Sequence, residues 1–214
     1  MKKTKQLLVA LALAIGFSLS AKADSLLNLV PSGDFETFTT GVLASPWWGS
    51  GQTSVVANDG TFSPSNPSGQ TKILYFGDNS PQAGTTVGLL EAGKDYTLSI
   101  DLCAAWAVSG SAFASLNGYD GSLPEGQRSQ TFASNSFDFN NSWSRATLSL
   151  SAATITQSYS SWIGKELNIV IRKNSGYLSI DNVAVTAVPE PSTYALLFGG
   201  ILTLLLIRRR RIAS

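Results

Sequence analysis

Two adjacent tryptophans, Trp47 and Trp48, stand out as residues that could bind a ligand. They lie in the stretch ASPWWGSG, where proline and glycine predict a loop and where an exposed indole would be costly without a partner. Sugar rings present apolar faces that stack on aromatic side chains, and sugar hydroxyls need polar partners nearby. We therefore interpret the pair as a candidate carbohydrate-binding platform. Further candidates flank other loops or strand ends, and burial in the core is the alternative for every ring: Trp106, Tyr119, Tyr159 and Trp162.

Catalytic chemistry has less support in the residue types. The chain contains no histidine, which excludes Ser-His-Asp and Cys-His catalysis and histidine-ligated zinc. Glycoside hydrolysis needs two carboxylates about 5 to 10 Å apart across a cleft. No spacing selects such a pair here, and several acidic residues, such as Asp59 before Gly60, are typical of turns. The one cysteine, Cys103, falls in a strand-like run and is expected to be a buried thiol. We therefore expect a protein without enzymatic activity.

Alternating polarity in the chain after Leu26 predicts the elements that must position these residues. Apolar and polar residues alternate in KDYTLSIDLC, RATLSLS and KELNIVIRK, a period that predicts half-buried strands. Trp143 opens one such strand and is expected in the core. No helical period appears before Tyr194. About ten short strands predict an all-β fold, a two-sheet β-sandwich. The other candidate strands are 26–30, 53–57, 71–76, 85–90, 112–116, 136–139 and 177–187.

The stretch YLSIDNVAVTA contains a change of register. Leu178 and Ile180 share one parity, whereas Val183 and Val185 have the opposite one. The inward face of a single strand therefore switches at Asp181-Asn182, because successive side chains of a strand point to opposite faces. A β-bulge at these two residues would restore the register and turn their polar side chains in a new direction.

The N-terminus has the features of a secretory signal peptide. Lys2, Lys3 and Lys5 precede an apolar run over residues 7–19, which is followed by Ala21-Lys22-Ala23. A charged region, an apolar region and a small-x-small motif predict export with cleavage after Ala23. A short uncleaved anchor is the alternative, although the run is shorter than a spanning helix requires.

The C-terminus combines a short apolar segment with a basic cluster. Residues 194–207 are apolar, and a transmembrane helix over about 193–207 would need the residues just before them. Lys and Arg flanking a membrane segment stay on the cytoplasmic side, which would place the body of the protein outside. A core helix with a basic tail is the alternative. The stop-transfer cluster consists of Arg208, Arg209, Arg210 and Arg211.

Charge separates the two ends from the body. Eight of the fifteen basic residues lie in the predicted targeting segments, whereas residues 24–188 contain seven Lys or Arg and thirteen Asp or Glu, a net charge of −6. An acidic body makes a nucleic-acid partner unexpected, because phosphate binding needs a basic surface. We predict a signal peptide over 1–23, one β-sandwich ectodomain over 24–187 and a sorting segment over 188–214.

The last 27 residues also resemble a known signal. Pro189, Glu190 and Pro191, a short apolar segment with a Gly-Gly pair, and the Arg cluster have the order and spacing of the PEP-CTERM sorting signal of Gram-negative bacteria. The resemblance implies processing near the Pro-Glu-Pro by an exosortase, in hosts that typically make extracellular polysaccharide. The two prolines fix φ and lack amide donors, so this segment is expected to be extended and accessible. The implied destination is the cell surface or extracellular matrix.

A second resemblance covers nearly the whole ectodomain. The stretches NLVPSGDFE, EAGKDYTLSIDL, NNSWSRATLSL and GYLSIDNVAV, in this order, resemble the galactose-binding-like jelly roll of many carbohydrate-binding modules. This fold often sends one tryptophan of its first long loop into the core. It also often joins the first and last strands through a structural calcium, and the matching residues are Glu36 and Asp181, with Asp34 and Asn182 adjacent. The alternative is that Glu36 and Asp181 only accept hydrogen bonds from turn and bulge amides.

Two functions follow, and both begin with export. In the first, the β-sandwich binds polysaccharide without catalysis, through loop aromatics. In the second, it is a structural envelope or matrix protein that makes protein contacts only, because this fold does not fix function. Exposure of Trp47 or Trp48 beside polar groups would favour the first, and burial of every tryptophan would favour the second.

Overall fold

Residues 28–189, the part of the chain that the computed structural model describes, contain ten strands, one short α-helix and two single-turn 3-10 helices, Ala105–Ala107 and Ser160–Trp162. The strands follow the alternating segments closely, and most are bounded by Gly, Asn, Asp or Pro. Their bounds are β1 Trp47–Ser50, β2 Thr53–Ala57, β3 Lys72–Phe76, β4 Gln82–Leu89, β5 Lys94–Ala104, β6 Gly110–Tyr119, β7 Ser129–Phe139, β8 Ser144–Leu150, α1 Ala152–Ser158, β9 Glu166–Lys173 and β10 Leu178–Pro189.

The strands form two antiparallel five-stranded sheets. Sheet A has the order β1-β4-β9-β6-β7, and sheet B has the order β2-β3-β10-β5-β8. Neighbours within a sheet are mostly not consecutive in the chain, so the connections pass repeatedly from one sheet to the other. The predicted all-β sandwich is therefore confirmed.

The period-two patterns explain the core. Leu98, Ile100 and Leu102 of β5 are buried, and they belong to the same hydrophobic cluster as Leu167 and Ile169 of β9. One sheet contributes the first group and the other sheet contributes the second, so the inward faces of both sheets meet in one layer. The outward faces of the same strands remain polar, and the candidate site lies on one of them.

The predicted bulge in β10 is confirmed. The register of β10 against β5 shifts between Asp181 and Ala184, and Asn182 has a φ of +49°, in the left-handed region that asparagine tolerates better than most residues. The shift keeps Ile180 and Val183 in the core on both sides of it. It also leaves Asp181 with its carboxylate held within the fold.

Three expectations about the elements were wrong. A helix, α1, occurs before Tyr194; it lasts seven residues, too few for a clear 3.6-residue period, and begins where the Ser151 hydroxyl accepts a hydrogen bond from the Thr154 amide. The Trp47-Trp48 pair opens strand β1 rather than lying in a loop. Residues 28–30 are not in a strand, although the Leu29 amide donates to the carbonyl of Val185 at 2.9 Å.

The predicted signal peptide and the predicted helix over 193–207 lie outside the described residues. Within 28–189, no helix is both long enough and apolar enough to cross a membrane. Cys103 is fully buried, as expected, and burial raises the pKa of its thiol to about 11.

Candidate functional site

The outer face of sheet A carries a cleft of about 460 Å³. All five strands of the sheet contribute to it. Strands β6 and β9 are neighbours in the sheet although they are far apart in the chain, so the cleft forms only with this strand order. Two aromatic residues, Trp48 and Tyr119, belong to its lining. The other lining residues are Gln82 and Thr86 of β4, Asn117 of β6, Ser129 of β7, and Glu166, Asn168 and Val170 of β9.

Strand β1 separates the two tryptophans because adjacent side chains of a strand point to opposite faces. Trp47 is only 2 % exposed; its Nε1 donates to the carbonyl of Pro31 at 2.9 Å, and its ring packs 5.2 Å from that of Phe35. Trp48 points outward and is 44 % exposed. One tryptophan therefore anchors the edge strand in the core, while the other offers an indole face to solvent.

Gly84 makes room for the Trp48 indole. The two residues lie opposite each other in the β1–β4 pair. A β-carbon at position 84 would lie 2.5 Å from Cζ2 and 2.8 Å from Cε2 of the indole, distances that side chains do not tolerate. The absence of a side chain therefore lets the indole lie against the backbone of β4, which fixes the ring at one end of the cleft.

Tyr119 lies at the end of β6, opposite Glu166 of β9, and is 37 % exposed. The structure thus brings Trp48 and Tyr119 into one cleft, although 71 positions separate them in the chain. Trp106 lies elsewhere: it is 52 % exposed in a short turn after β5 of sheet B, with its ring edge-on to Phe62 at 5.1 Å.

The remaining aromatic candidates are partly buried against apolar clusters. The rings of Tyr159 and Trp162 lie 4.7 Å and 5.9 Å from the ring of Phe132, against the main core. Trp143 packs against a smaller apolar cluster on the outer face of sheet B, and its Nε1 donates to the carbonyl of Pro64. Tyr159 and Trp162 thus follow the core alternative in part, whereas Trp143, which was expected to open a strand and lie in the core, precedes β8 and lies outside the main core.

Two asparagines line the cleft with unused hydrogen-bonding capacity. Asn117 and Asn168 lie opposite each other in the β6–β9 pair, and the side-chain oxygen of each is buried without a hydrogen-bond partner. Asn117 is only 8 % exposed, and its Nδ2 donates to Ser115 Oγ at 3.0 Å. A buried acceptor left unpaired costs about 1–3 kcal/mol, so such a group points to a missing partner.

Sequence reasoning missed these asparagines because asparagine is usually a turn former. The available signal was their parity: both occupy outward positions of strands whose other outward residues, apart from Val170, are polar or aromatic. The two asparagines lie opposite each other only because β6 pairs with β9, and local sequence does not specify that pairing.

The cleft contains one carboxylate among the described residues that line it, that of Glu166. Glycoside hydrolysis by the common mechanisms uses two carboxyl groups on either side of the bond that breaks. The arrangement seen here instead offers aromatic surface, amides and hydroxyls, which are groups that bind and orient a ligand.

Glu36, one of the two residues matched to a calcium site, accepts several hydrogen bonds. Its carboxylate accepts from the amides of Thr71 at 2.6 Å and Lys72 at 2.8 Å and from the Thr71 hydroxyl at 2.5 Å. Burial opposes ionisation, but these bonds outweigh it, and the pKa of Glu36 is lowered. Glu36 thereby fastens the segment after Phe35 to the start of β3.

Asp181, the other matched residue, is fully buried at the bulge. Burial raises its pKa to about 7, against hydrogen bonds from the Asn182 amide at 2.7 Å and from Asn66 Nδ2 at 2.9 Å. One end of the Gln70 side-chain amide lies 2.6 Å and 2.7 Å from the two carboxylate oxygens and 3.1 Å from Asn182 Oδ1. Nitrogen at that end donates to both carboxylate oxygens and satisfies them without an ion, whereas oxygen at that end makes the group a cluster of oxygens that only a cation would stabilise.

A larger cleft of about 740 Å³ adjoins this region on the other side of the molecule. Gln70 and Asn182 belong to its lining, together with Asp34 and Arg145. Its lining contains no aromatic residue among those described, so it lacks a surface on which a sugar ring could stack. No group of three or more His, Cys, Asp or Glu side chains gathers anywhere in residues 28–189 in a way that could hold a metal ion.

Comparison with known families assigns the C-terminal segment. Residues 187–211 match the PEP-CTERM protein-sorting motif, which confirms the resemblance noted in the sequence. The C-terminal segment therefore carries a protein-sorting motif. No curated protein sequence matches the chain.

Comparison with solved structures supports the fold. A Stig cyclase, Fisc, from Fischerella sp. TAU, solved in complex with (3Z)-3-(1-methyl-2-pyrrolidinylidene)-3H-indole, aligns with a TM-score of 0.59 at 14 % identity, over 77 % of this chain and 99 % of the cyclase. The CBM22-1 xylan-binding domain of Paenibacillus barcinonensis Xyn10C aligns with a TM-score of 0.54 at 13 % identity, over 78 % and 99 %. At these identities the comparisons establish a shared β-sandwich and nothing about activity.

Proposed function

We propose that this protein is exported to the cell surface or extracellular matrix and binds polysaccharide, without catalysis, in the cleft of sheet A. The observation that carries the proposal is the exposed Trp48 indole, which shares a cleft with Tyr119 and two unpaired asparagine oxygens. Exposed tryptophan beside polar groups is the arrangement expected of a sugar site, whereas burial of every tryptophan would have favoured a purely structural protein.

Each group in the cleft has a role in this mechanism. Trp48 and Tyr119 would stack on the apolar faces of sugar rings, which removes apolar surface from water on both partners. Asn117 and Asn168 would accept hydrogen bonds from sugar hydroxyls, and Gln82 would add an adaptable amide. The residues lie on strands of a sheet rather than on loops, so little ordering is needed on binding and more of the contact energy appears as affinity.

The C-terminal segment determines where the protein is sorted. The sorting motif supports processing near Pro189-Glu190-Pro191 by an exosortase-like enzyme. We also propose that a signal peptide is cleaved after Ala23, that a helix over about 193–207 anchors the protein transiently, and that Arg208–211 stay on the cytoplasmic side until processing. A Gram-negative host that secretes its own polysaccharide would supply the ligand where the protein is released.

We also propose a structural calcium at the β10 bulge, in the orientation of the Gln70 amide that turns its oxygen toward Asp181. The carboxylate of Asp181 and the side-chain oxygens of Gln70 and Asn182 are then close enough to share one hard cation, with backbone oxygens and water completing six to eight ligands. Glu36, whose carboxylate already accepts hydrogen bonds from Thr71 and Lys72, would be a further ligand. The ion would hold the segment around Gln70 against the last strand.

Affinity electrophoresis tests the binding proposal. The protein, purified from exporting cells in a detergent without a sugar headgroup, is run through gels that contain the extracellular polysaccharide of the producing organism. We expect retardation that is lost in Trp48→Ala and reduced in Tyr119→Ala. Trp106→Ala is the matched control, because it removes an aromatic side chain of similar exposure that lies outside the cleft.

The outcomes separate the two functions. Retardation that depends on Trp48 but not on Trp106 supports polysaccharide binding in the cleft. Unchanged mobility of the folded protein in every gel would instead favour the structural protein that makes protein contacts only.

A further inference from the structure

We infer that the cleft of sheet A selects the interior of an uncharged, hydroxyl-rich polysaccharide chain and rejects chains that carry carboxylates or sulfates. The inference rests on the proposed binding function and goes further by naming the chemical class of the ligand. Three features carry it: the unpaired acceptors, the charge of the lining, and the distance between the two aromatic residues.

The unpaired groups require donors. Asn117 Oδ1 and Asn168 Oδ1 can only accept hydrogen bonds, and the bond from Asn117 Nδ2 to Ser115 Oγ commits the other end of that amide. A sugar hydroxyl can donate to each oxygen after the side chain turns toward the cleft, because both oxygens are inaccessible to solvent in the unliganded protein. An ionised carboxylate or a sulfate has acceptors only, so it would face these oxygens without a hydrogen bond and would lose its own hydration.

The charge of the cleft points the same way. Glu166 is the one ionisable acid in the lining, no lysine or arginine belongs to that lining, and within residues 28–189 Glu166 takes part in no ion pair. The neighbouring Lys165 is bound to Asp120 at 2.7 Å. Arg172 is the next outward residue after Val170 on β9 and lies opposite Gln82 of β4; it sits over the Phe113 ring at 4.9 Å and is outside the lining. Near Glu166 an anionic chain would therefore meet a carboxylate with no cation in the lining, and Arg172, beside Gln82, is the nearest cation on the outer face of β9.

The spacing of the aromatic residues favours a chain over a single sugar. Trp48 and Tyr119 are three strand spacings apart across the sheet and about four residues apart along it, which gives roughly 20 Å between the two positions. Trp48 lies on β1 and Ser129 on β7, the two edge strands, so the line of contacts runs from one edge of the sheet to the other. A polysaccharide that crosses the sheet can contact both aromatic residues at once, whereas one sugar ring cannot.

The test uses polysaccharides that differ mainly in charge. The full protein is run through affinity gels that contain hydroxyethylcellulose or carboxymethylcellulose, dextran or dextran sulfate, and the producing organism's polysaccharide before and after chemical reduction of its carboxylates to alcohols. We expect at least about tenfold tighter binding to the neutral member of every pair that binds. Glu166→Gln should narrow this preference. Glu125→Gln removes the same charge from an exposed loop outside the cleft and should leave the preference unchanged.

The length of the ligand is tested in the same way. Fragments of a bound polysaccharide are added as competitors, and affinity should rise with fragment length until the fragment reaches both aromatic residues; the rise should disappear in Tyr119→Ala. Equal or tighter binding to the charged member of a pair would overturn the inference and leave the proposed function intact. Retardation by none of the polymers, including that of the producing organism, would instead remove the proposed function itself.

Discussion

Replacing Asn117 by leucine should leave the protein as stable as before, or more stable, while weakening polysaccharide binding. Leucine has the same number and branching of side-chain heavy atoms as asparagine and no polar atoms, although it is the bulkier residue. In the unliganded protein, Asn117 Oδ1 is buried without a partner, so the substitution removes a group that currently destabilises the fold.

The expected change in unfolding free energy follows from two opposing effects. Relief of a buried unpaired acceptor is worth about 1–3 kcal/mol, and loss of the bond from Nδ2 to Ser115 costs about 1 kcal/mol. The net change is a stabilisation of about 0–2 kcal/mol. For a domain of this size, each kcal/mol moves the melting temperature by about 2–4 °C. Affinity should fall because a ligand hydroxyl loses its acceptor, a cost of about 1–3 kcal/mol or about 5- to 150-fold.

Two measurements on each variant test this: thermal unfolding followed by circular dichroism, and retardation in affinity gels. Asn58→Leu is the matched control, because both ends of the Asn58 amide are paired, Nδ2 with the carbonyl of Gln70 at 2.7 Å and Oδ1 with the Asn66 amide at 2.8 Å. That variant should lose about 2–3 kcal/mol, or about 4–12 °C, while keeping its affinity for polysaccharide.

The reasoning is refuted if Asn117→Leu behaves like the control. A variant destabilised by several kcal/mol with unchanged binding would mean that Asn117 has a structural role. Stability gained together with binding lost is the result expected of a side chain retained for a ligand at a cost to the fold.

Four other perturbations have definite expected results. Trp47→Ala should lower the unfolding free energy by about 3–5 kcal/mol in denaturant titration, because it removes a core indole; a loss below 1 kcal/mol would contradict the burial. Cys103 should resist alkylation at pH 8 until the protein unfolds, and rapid labelling of the native protein would contradict its raised pKa. The Lys165 ammonium and the Ser122 hydroxyl hold the pKa of Asp120 at about 2, so the contribution of Asp120 to stability should be present above pH 4 and lost as the pH falls through 2. Lys165→Met should raise the pKa of the Asp120 carboxyl measured by NMR. An unchanged pKa would refute the pairing of Lys165 with Asp120. Calcium at 100 times its dissociation constant should stabilise the protein by about 2.7 kcal/mol in thermal unfolding, an effect that chelator and Asp181→Asn should abolish.

The strands could be predicted well because their signal is local. Alternation in the segments around Leu98 and Ile169 specified which residues face the core, and the parity change at Asp181-Asn182 specified the bulge. Both patterns lie within about ten residues, where the period of two depends only on backbone geometry. The helix α1 was not predicted because two turns are too short to show a 3.6-residue hydrophobic period. Its N-cap, Ser151, also resembles an ordinary loop residue.

The site was less predictable because its residues meet only through the sheet order. The sequence indicated Trp48 and Tyr119 separately, and it could not indicate that β1 divides the tryptophan pair between core and solvent. Asn117 and Asn168 had no individual signal, because their importance comes from lying opposite each other without partners. Glu36 shows the same limit: its donors follow 35 residues later, on a segment that its side chain holds in place.

Strand β10 has a consequence for genetic dissection of the sorting signal. The sorting motif begins at residue 187, yet Ala187, Val188 and Pro189 are still paired with Tyr96, Asp95 and Lys94 in sheet B. The sorting motif and strand β10 therefore share three residues. A truncation placed at the start of the motif would remove the last part of a strand along with the signal, and impaired folding would be mistaken for failed sorting. Only truncations made after Pro189 can separate the two functions of this segment.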